Sequence, residues 1–472
     1  MEHWQPEPHE QVLLMQANRI GAACLPYIYD ELYCRQGQPL EAVANRCRGA
    51  IAVLQRMYTA DGQTCWLTKP RESDLIADWL SQHLNRLIEV EREQKNPNTV
   101  YDHRLAEAVK ALAALIASSQ SLPLRPSLTS RGAYHDPERA KKFRENLRHL
   151  FTQAPKRPTL LLACCDAAEQ LGTPEDLQLL DQQTRRLDVQ ANFKIQEVDR
   201  ILETRDRVLA REPLRSELLK KSLERIEKLG LTRLAAPDKN TLLFSRPSDG
   251  AVMALIQGGS FIRGDNHYEE SQPQRRIHLN SYLIDVEPVS QQSFTRWIEQ
   301  QGAIMRVERG FFPVQGLPEN IQHESPYALY VTWFAAQAYA QWAISGGHLP
   351  TEAQWEKAAR GTADTRRYPS GDTWRDEATS PFGVHICHIL EWTLDAYDRW
   401  AYQHNPAVFD PFMQSTSQAG DEALRVVRGR RPDTPVGDYS LVRRLGMEPI
   451  TGAFTAPVGF RVVVELEQES PL

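Results

Sequence analysis

Glycine and tryptophan divide this chain in two. Residues 1–248 hold 7 of its 25 glycines and 3 of its 10 tryptophans, while the other 224 residues hold 18 and 7. Glycine costs a helix about 1 kcal/mol relative to alanine, so a glycine-poor stretch is free to form long helices. Glycine with aromatics suits short strands joined by many turns. The distribution predicts a helical front and a loop-rich domain behind it.

Composition narrows the class. Apolar residues make up 41% and charged residues 25% of the 472, the balance of an ordinary globular protein with room for more than one domain. The 55 basic and 61 acidic side chains leave a net charge of −6, which gives no overall attraction for nucleic acid or anionic lipid. No apolar run approaches the roughly 18 residues of a membrane span. Met1-Glu2-His3-Trp4-Gln5-Pro6 lacks the basic-then-apolar order of a secretory signal, and the 7 cysteines have no framework spacing. A cytoplasmic protein with free thiols is expected, with neither a membrane nor a nucleic-acid partner.

In the front half apolar residues recur at helical spacing. Leu75, Ile76, Trp79, Leu80, Leu84, Leu87 and Ile88 form one stripe, and Leu105, Val109, Leu112, Leu115 and Ile116 another. Further helices are predicted from Asp136-Pro137 to about Phe151, Leu160 to Leu171, Thr173-Pro174 to about Leu187, 193–209 and 214–229, the last closed by Gly230. Pro123, Pro126 and Gly132 mark an internal linker. The expected organisation is a helical region 1–122, a linker 123–135, a helical region 136–240 and a further domain over 250–466. Little chemistry is visible in front. His3, His9, His83, His103, His135 and His149 include no pair four apart that would put two imidazoles on one helix face. Cys164-Cys165 lie in an apolar helical run and read as buried small side chains.

Behind residue 250 the pattern changes. The runs 251–256, 277–279 and 282–285 read as short strands, with glycine turns around another near Phe261. Ser290 is placed to cap a helix bearing Phe294, Trp297 and Ile298, and a second helix begins at Val331-Thr332-Trp333. The sharpest signal is Leu349-Pro350-Thr351-Glu352-Ala353-Gln354-Trp355-Glu356-Lys357-Ala358-Ala359-Arg360-Gly361. Thr351 and Gln354 have capping-box spacing, Glu352, Glu356 and Arg360 make an i+4 ladder, and Gly361 stands where a left-handed C-cap belongs.

That run resembles the signature of the formylglycine-generating enzyme (sulfatase-modifying factor) superfamily. Other segments resemble the family's motifs in order: Gln257–Gly264, Leu283–Ser290, Tyr368-Pro369-Ser370-Gly371-Asp372, Glu391-Trp392-Thr393, Val427-Arg428-Gly429 and Gly459-Phe460-Arg461-Val462. The resemblance covers about 250–466. It implies a C-type-lectin-like fold of short strands, two main helices and many loops, so the chain as a whole is expected to be an α+β multidomain protein with an all-α front.

The resemblance also implies chemistry that these residues do not keep. Formylglycine-generating members hold copper with two cysteines in the C-terminal stretch, since soft thiolates suit that ion. Here residues 428–444 contain no cysteine, and Cys387 is the sole thiol behind residue 250. The sulfoxide-synthase branch joins the fold to a helical bundle with a three-histidine iron site, whose His-x-x-x-His pair is missing in front. Members also carry a Gly-Asn that helps form a calcium site. The stretch from Phe382-Gly383 to Glu391 lacks it, so no cofactor is expected. His385, Cys387 and His388 are weak metal candidates, because in a strand only His385 and Cys387 would share a face.

What remains is a surface rich in arginine and aromatics. Trp392, Tyr397, Trp400, Arg428, Arg430, Arg431, Asp433, Asp438, Tyr439 and Arg443 are the candidate groove residues, of the types that anchor a peptide or protein partner. The expected function is a catalytically silent recognition module with a helical docking or oligomerising arm. Two alternatives stay open: an oxygen-dependent metalloenzyme with an altered metal site, and a variable ligand-binding display protein of a diversity-generating retroelement.

Overall fold

The computed structural model of the chain describes scattered helical positions between 81 and 113, then 137–153, 157–171, 194–210, 214–235, 241–300 and most of 325–466. Two compact units divide it, 1–211 and 212–472.

In the first unit, Leu84, Ile88, Leu105 and Val109 are buried, as both apolar stripes predict. Helix α1 spans Pro137–Gln153, α2 Pro158–Leu171 and α3 Ile195–Leu209. Cys164 and Cys165 are fully buried on α2, and burial pushes the Cys165 thiol well up. Arg200 and Arg207 of α3 reach Asp166 and Glu169 of α2 at 3.2 and 2.9 Å. The helix predicted from Thr173 to Leu187 and the linker 123–135 lie outside the described residues.

The next helix, α4 (Leu214–Lys228), falls in the second unit, 212–472. The reason is its apolar stripe: Ile226 is buried in the C-terminal core, and Leu219 and Leu223 pack against it. Gly230, at φ +76°, ends it as predicted.

The second unit is built on a six-stranded sheet. Its strands are β1 (Thr232–Arg233), β2 (Leu243–Ser245), β3 (Val252–Ile256), β6 (Tyr282–Asp285), β7 (Gly347–His348) and β12 (Val463–Glu465), in the order β1-β2-β3-β6-β12-β7. Between them β4 (Gly259–Arg263) and β5 (Arg275–Leu279) form a separate hairpin. The central strands read as unbroken apolar runs because the sheet is buried on both faces. Met253, Leu255, Leu283 and Val464 enter one core, while Ala254, Ile256, Tyr282, Ile284 and Val463 enter the other. The first core is closed by α4, by α5 (Gln291–Gln300) and by α6 (Trp333–Ala343), where Phe294, Trp297, Tyr339 and Phe460 pack with centroids 5.4 to 5.8 Å apart. The second is closed by α7 (Glu352–Arg360). A four-stranded sheet completes the unit: β10 (Leu445–Met447), β9 (Arg425–Gly429), β8 (Leu390–Ala396) and β11 (Val458–Gly459), with β8 and β11 parallel. Short α8 (Ala401–His404) follows β8. Two main helices are expected; among the described residues of the second unit there are three of nine to eleven residues, besides α4.

Candidate functional site

The signature helix α7 forms where its capping box predicts. Thr351 Oγ1 accepts from the Gln354 amide at 3.1 Å, and Gln354 Oε1 accepts from the Thr351 amide at 2.8 Å. Gly361 ends the helix at φ +94°, ψ −169°, a positive-φ conformation other than the left-handed helical one expected. Every residue of α7 is buried, the i+4 ladder with it, and one of its rungs closes, Arg360 Nη1 donating to Glu356 Oε1 at 2.8 Å.

Its two carboxylates anchor a charge cluster. Glu352 Oε1 accepts from Arg428 Nη1 at 2.9 Å and from Arg444 Nε, while Arg263 reaches Glu352 Oε2 at 3.4 Å. Glu356 accepts from Arg428 at 2.8 Å, Arg360 at 2.8 Å, the Tyr402 hydroxyl at 3.0 Å and the Gly264 amide at 2.7 Å. The guanidiniums of Arg263 and Arg444 both lie over the Tyr402 ring, 3.7 and 4.9 Å from its centroid. Burial raises both carboxylates, but the surrounding arginines outweigh it and hold Glu352 down at about 2, with Glu356 also below its ordinary range. Asp395 sits beside this cluster, accepting from the Glu352 amide at 2.7 Å and the Met413 amide at 3.0 Å. Burial, followed by the neighbouring Glu352 charge, pushes Asp395 up to about 6.

The other motifs pair with one another in the same way. Glu391 holds Arg461 through two bonds of 2.6 and 2.9 Å and accepts from Trp355 Nε1 at 3.0 Å. Arg461 also donates to the backbone of Asp285 at 3.1 Å and Val286 at 2.7 Å. Arg246 joins Asp285 and Asp249, each at 2.7 Å, and Asp249 accepts from Tyr339 at 2.7 Å. These residues are spent on holding segments together.

The candidate groove residues therefore separate. Trp392 is fully buried with Nε1 on Val331 O at 2.7 Å; Arg428 is buried in the cluster; Tyr439 is buried against Tyr368 and Trp374. Those three present no side-chain surface to a partner and act from below. The other described candidates, Tyr397, Trp400, Arg430, Asp438 and Arg443, lie on or near the stretch 430–443, whose ends are tied to one carboxylate, since Arg428 and Arg444 both meet Glu352 Oε1. On it Arg430 donates to Thr434 O at 3.0 Å and lies 5.1 Å over the Trp374 ring, and Asp438 is exposed. Arg443 reaches Glu270 at 3.6 Å and covers Tyr268 at 4.9 Å. Tyr397 and Trp400 are half-buried on the neighbouring stretch after β8, with Arg399 over Trp400. Arg431 and Asp433 lie outside the described residues. Sequence reading missed Trp374 and Arg367. Arg367 donates to Tyr439 O at 3.0 Å and to Gly437 O, so it clamps the loop from outside; spacing gives no sign of this, because the partners are 70 and 72 residues away.

Of the metal candidates, His385 has Nδ1 at 2.9 and 3.0 Å from the Glu287 carboxylate, which also accepts from Tyr327 at 2.7 Å. Cys387 and His388 lie outside the described residues. Among the described residues no three His, Cys, Asp or Glu side chains converge as a metal site. The donor set does not fit the family's copper, because the loop between Arg428 and Arg444 offers guanidinium, carboxylate and hydroxyl groups and no thiol. No helix among the described residues is long and apolar enough to cross a membrane.

Residues 239–386 match the family described as sulfatase-modifying factor enzyme 1-like domain. The C-terminal half carries a domain of the formylglycine-generating enzyme superfamily. Relatives of several kinds share it. A Chlamydia pneumoniae protein named serine/threonine-protein kinase pkn1 is 28% identical over 239 residues, 44% of this chain and 37% of the relative. The formylglycine-generating enzyme of Thermomonospora curvata is 31% identical over 186 residues, 31% of this chain and 59% of the relative. A hercynine oxygenase of Mycolicibacterium thermoresistibile is 27% identical over 238 residues, 39% of this chain and 52% of the relative. The match thus spans between about a third and three-fifths of these relatives' own length. Among solved structures, Treponema denticola variable protein 1 is aligned over its whole length and 48% of this chain, at 17% identity and a TM-score of 0.34.

Proposed function

We propose that the superfamily domain of this chain works as a recognition module without oxidative chemistry, and that its contact surface is the loop 430–443 with the Tyr368–Trp374 turn beside it. The supporting observation is the shared carboxylate. Two buried arginines tie both ends of the loop to Glu352, so a segment with no strand among its described residues is presented from a buried ionic base. Arg430 on Trp374, with Asp438 and Arg443 near by, offers charge and ring faces together. The partner is a protein or peptide, and no cofactor takes part.

Two measurements test this reading. Purified chain given copper(I), oxygen and a cysteine-containing peptide should leave the peptide mass unchanged; conversion of the cysteine to formylglycine refutes the reading. Affinity capture with the wild type should return a partner that a folded Trp374→Ala/Arg430→Ala/Asp438→Ala variant does not. Equal capture by both moves the contact surface elsewhere. A second reading, an oxygen-dependent metalloenzyme, is favoured by the likeness to hercynine oxygenases. Stoichiometric iron or copper in the purified protein would select it.

A further inference from the structure

The arginines of the buried charge clusters are each answered by a carboxylate, and at the surface Arg399 and Arg443 meet Glu269 and Glu270. Arg367 is held differently. Its Nε donates to Tyr439 O at 3.0 Å, its Nη2 donates to Gly437 O, and its guanidinium lies 5.2 Å over the Tyr368 ring. Neither carbonyl cancels the charge, and among the described residues no carboxylate pairs with it.

The way the group is held decides which part of it is left over. A guanidinium has a side edge, Nε–H with one Nη2–H, and an end edge, Nη1–H with the other Nη2–H, and either can grip a carboxylate through two parallel bonds. The two loop carbonyls take the side edge of Arg367, and the Tyr368 ring fixes its plane. Nη1 makes no bond among the described residues, and it is not one of the buried nitrogens left without a partner, so the end edge meets solvent. Arg367 thus stands at the surface with its orientation set before anything binds, which removes much of the ordering cost that a long basic side chain otherwise carries.

The described charges around it are Arg366, Arg375 and Arg430, with Asp372 and Asp438 of the opposite sign, both exposed. Arg366 donates to Pro369 O and Arg430 to Thr434 O, each at 3.0 Å. Two aspartates among these arginines oppose a polyanion, which presents charge at every step, more than they oppose a peptide with one or two acidic side chains. We propose that the partner of the loop 430–443 is an acidic peptide segment, and that Arg367 receives one of its Asp or Glu carboxylates end-on through Nη1 and Nη2. This rests on the loop's being the contact surface and adds the chemistry of what it contacts.

Random heptapeptides displayed on phage and selected on the full chain test it. The peptides recovered are expected to be enriched in Asp and Glu, and their affinity, read by fluorescence anisotropy, to fall as salt is raised. Arg367→Gln should bind them about tenfold more weakly or worse. Arg367→Lys keeps the charge without the fork and should recover only part of that loss. Asp438→Asn removes an opposing charge and should tighten binding about twofold. Near-UV circular dichroism reports whether Arg367→Gln keeps Tyr368, Trp374 and Tyr439 in place; where it does not, the lysine and asparagine variants decide. Recovery of no binding peptide, peptides without acidic enrichment, or equal binding by wild type and a folded Arg367→Gln each overturns the proposal. Peptides free of Asp and Glu that bind wild type but not the Trp374→Ala/Arg430→Ala/Asp438→Ala variant would overturn it while leaving the contact surface where it is. Acidic peptides that bind that variant as tightly as wild type would remove both.

Discussion

Glu352 is the residue on which most of the site depends. Three arginines and a tyrosine hydroxyl converge on its carboxylate, all of them buried. Removing one member of a buried ionic group leaves the others desolvated and uncompensated, so Glu352→Gln should destabilise the second unit by about 3–5 kcal/mol, read as a lower urea midpoint. Its depressed pKa makes this contribution present above the ordinary value of 4.5 and lost as pH falls towards about 2. Asp395 has the opposite sign. Its folded pKa of about 6 exceeds the ordinary 3.8, so the folded state binds the extra proton and stability falls as pH rises between those values. Relative to Asp395→Asn, the wild type should lose about 2 kcal/mol between pH 4 and 6 and only a few tenths more above that. Parallel pH dependence in the two proteins would show that Asp395 is not the group titrating.

At the scale of elements, the strands and helices close on positions that only particular backbones allow. Gly429 ends β9 at φ +98°, and a Cβ there would stand 2.2 Å from Ile389 O. Both the backbone conformation and the clash oppose a side chain, so Gly429→Ala should cost at least about 2 kcal/mol and loosen the base of the loop 430–443. Hydrogen exchange at 430–443 would report the second effect. Helix α4 offers a contrasting case, because its worth lies in packing. Ile226→Ala opens a cavity under the sheet and should cost about 2–5 kcal/mol, measured on the unfolding of the second unit.

For the whole molecule, the boundary between units at 211–212 has a direct test. Limited proteolysis should yield a resistant C-terminal fragment that begins near Glu212 and keeps α4. A fragment beginning near residue 250 would support the boundary expected from composition. Nothing in the periodicity of 214–229 distinguishes a helix that joins the front bundle from one that covers the sheet behind it. Both need the same stripe of Leu219, Leu223 and Ile226.

The amino-acid order by itself determined the helices of the described front half, the capping box at Thr351, the strands 252–256 and 282–285 and the superfamily of the second unit. Each rests on local spacing or on a contiguous motif. Only the tertiary structure decided what the motif residues are for. A charged or aromatic side chain reads alike in a sequence whether it faces water or a buried partner. Arg428 and Tyr439 were therefore legible as binding residues until their partners, 76 and 71 residues away in Glu352 and Tyr368, came into contact with them. The loop between Arg428 and Arg444 became a candidate surface for the same reason, since its shared anchor on Glu352 exists only after the chain has folded.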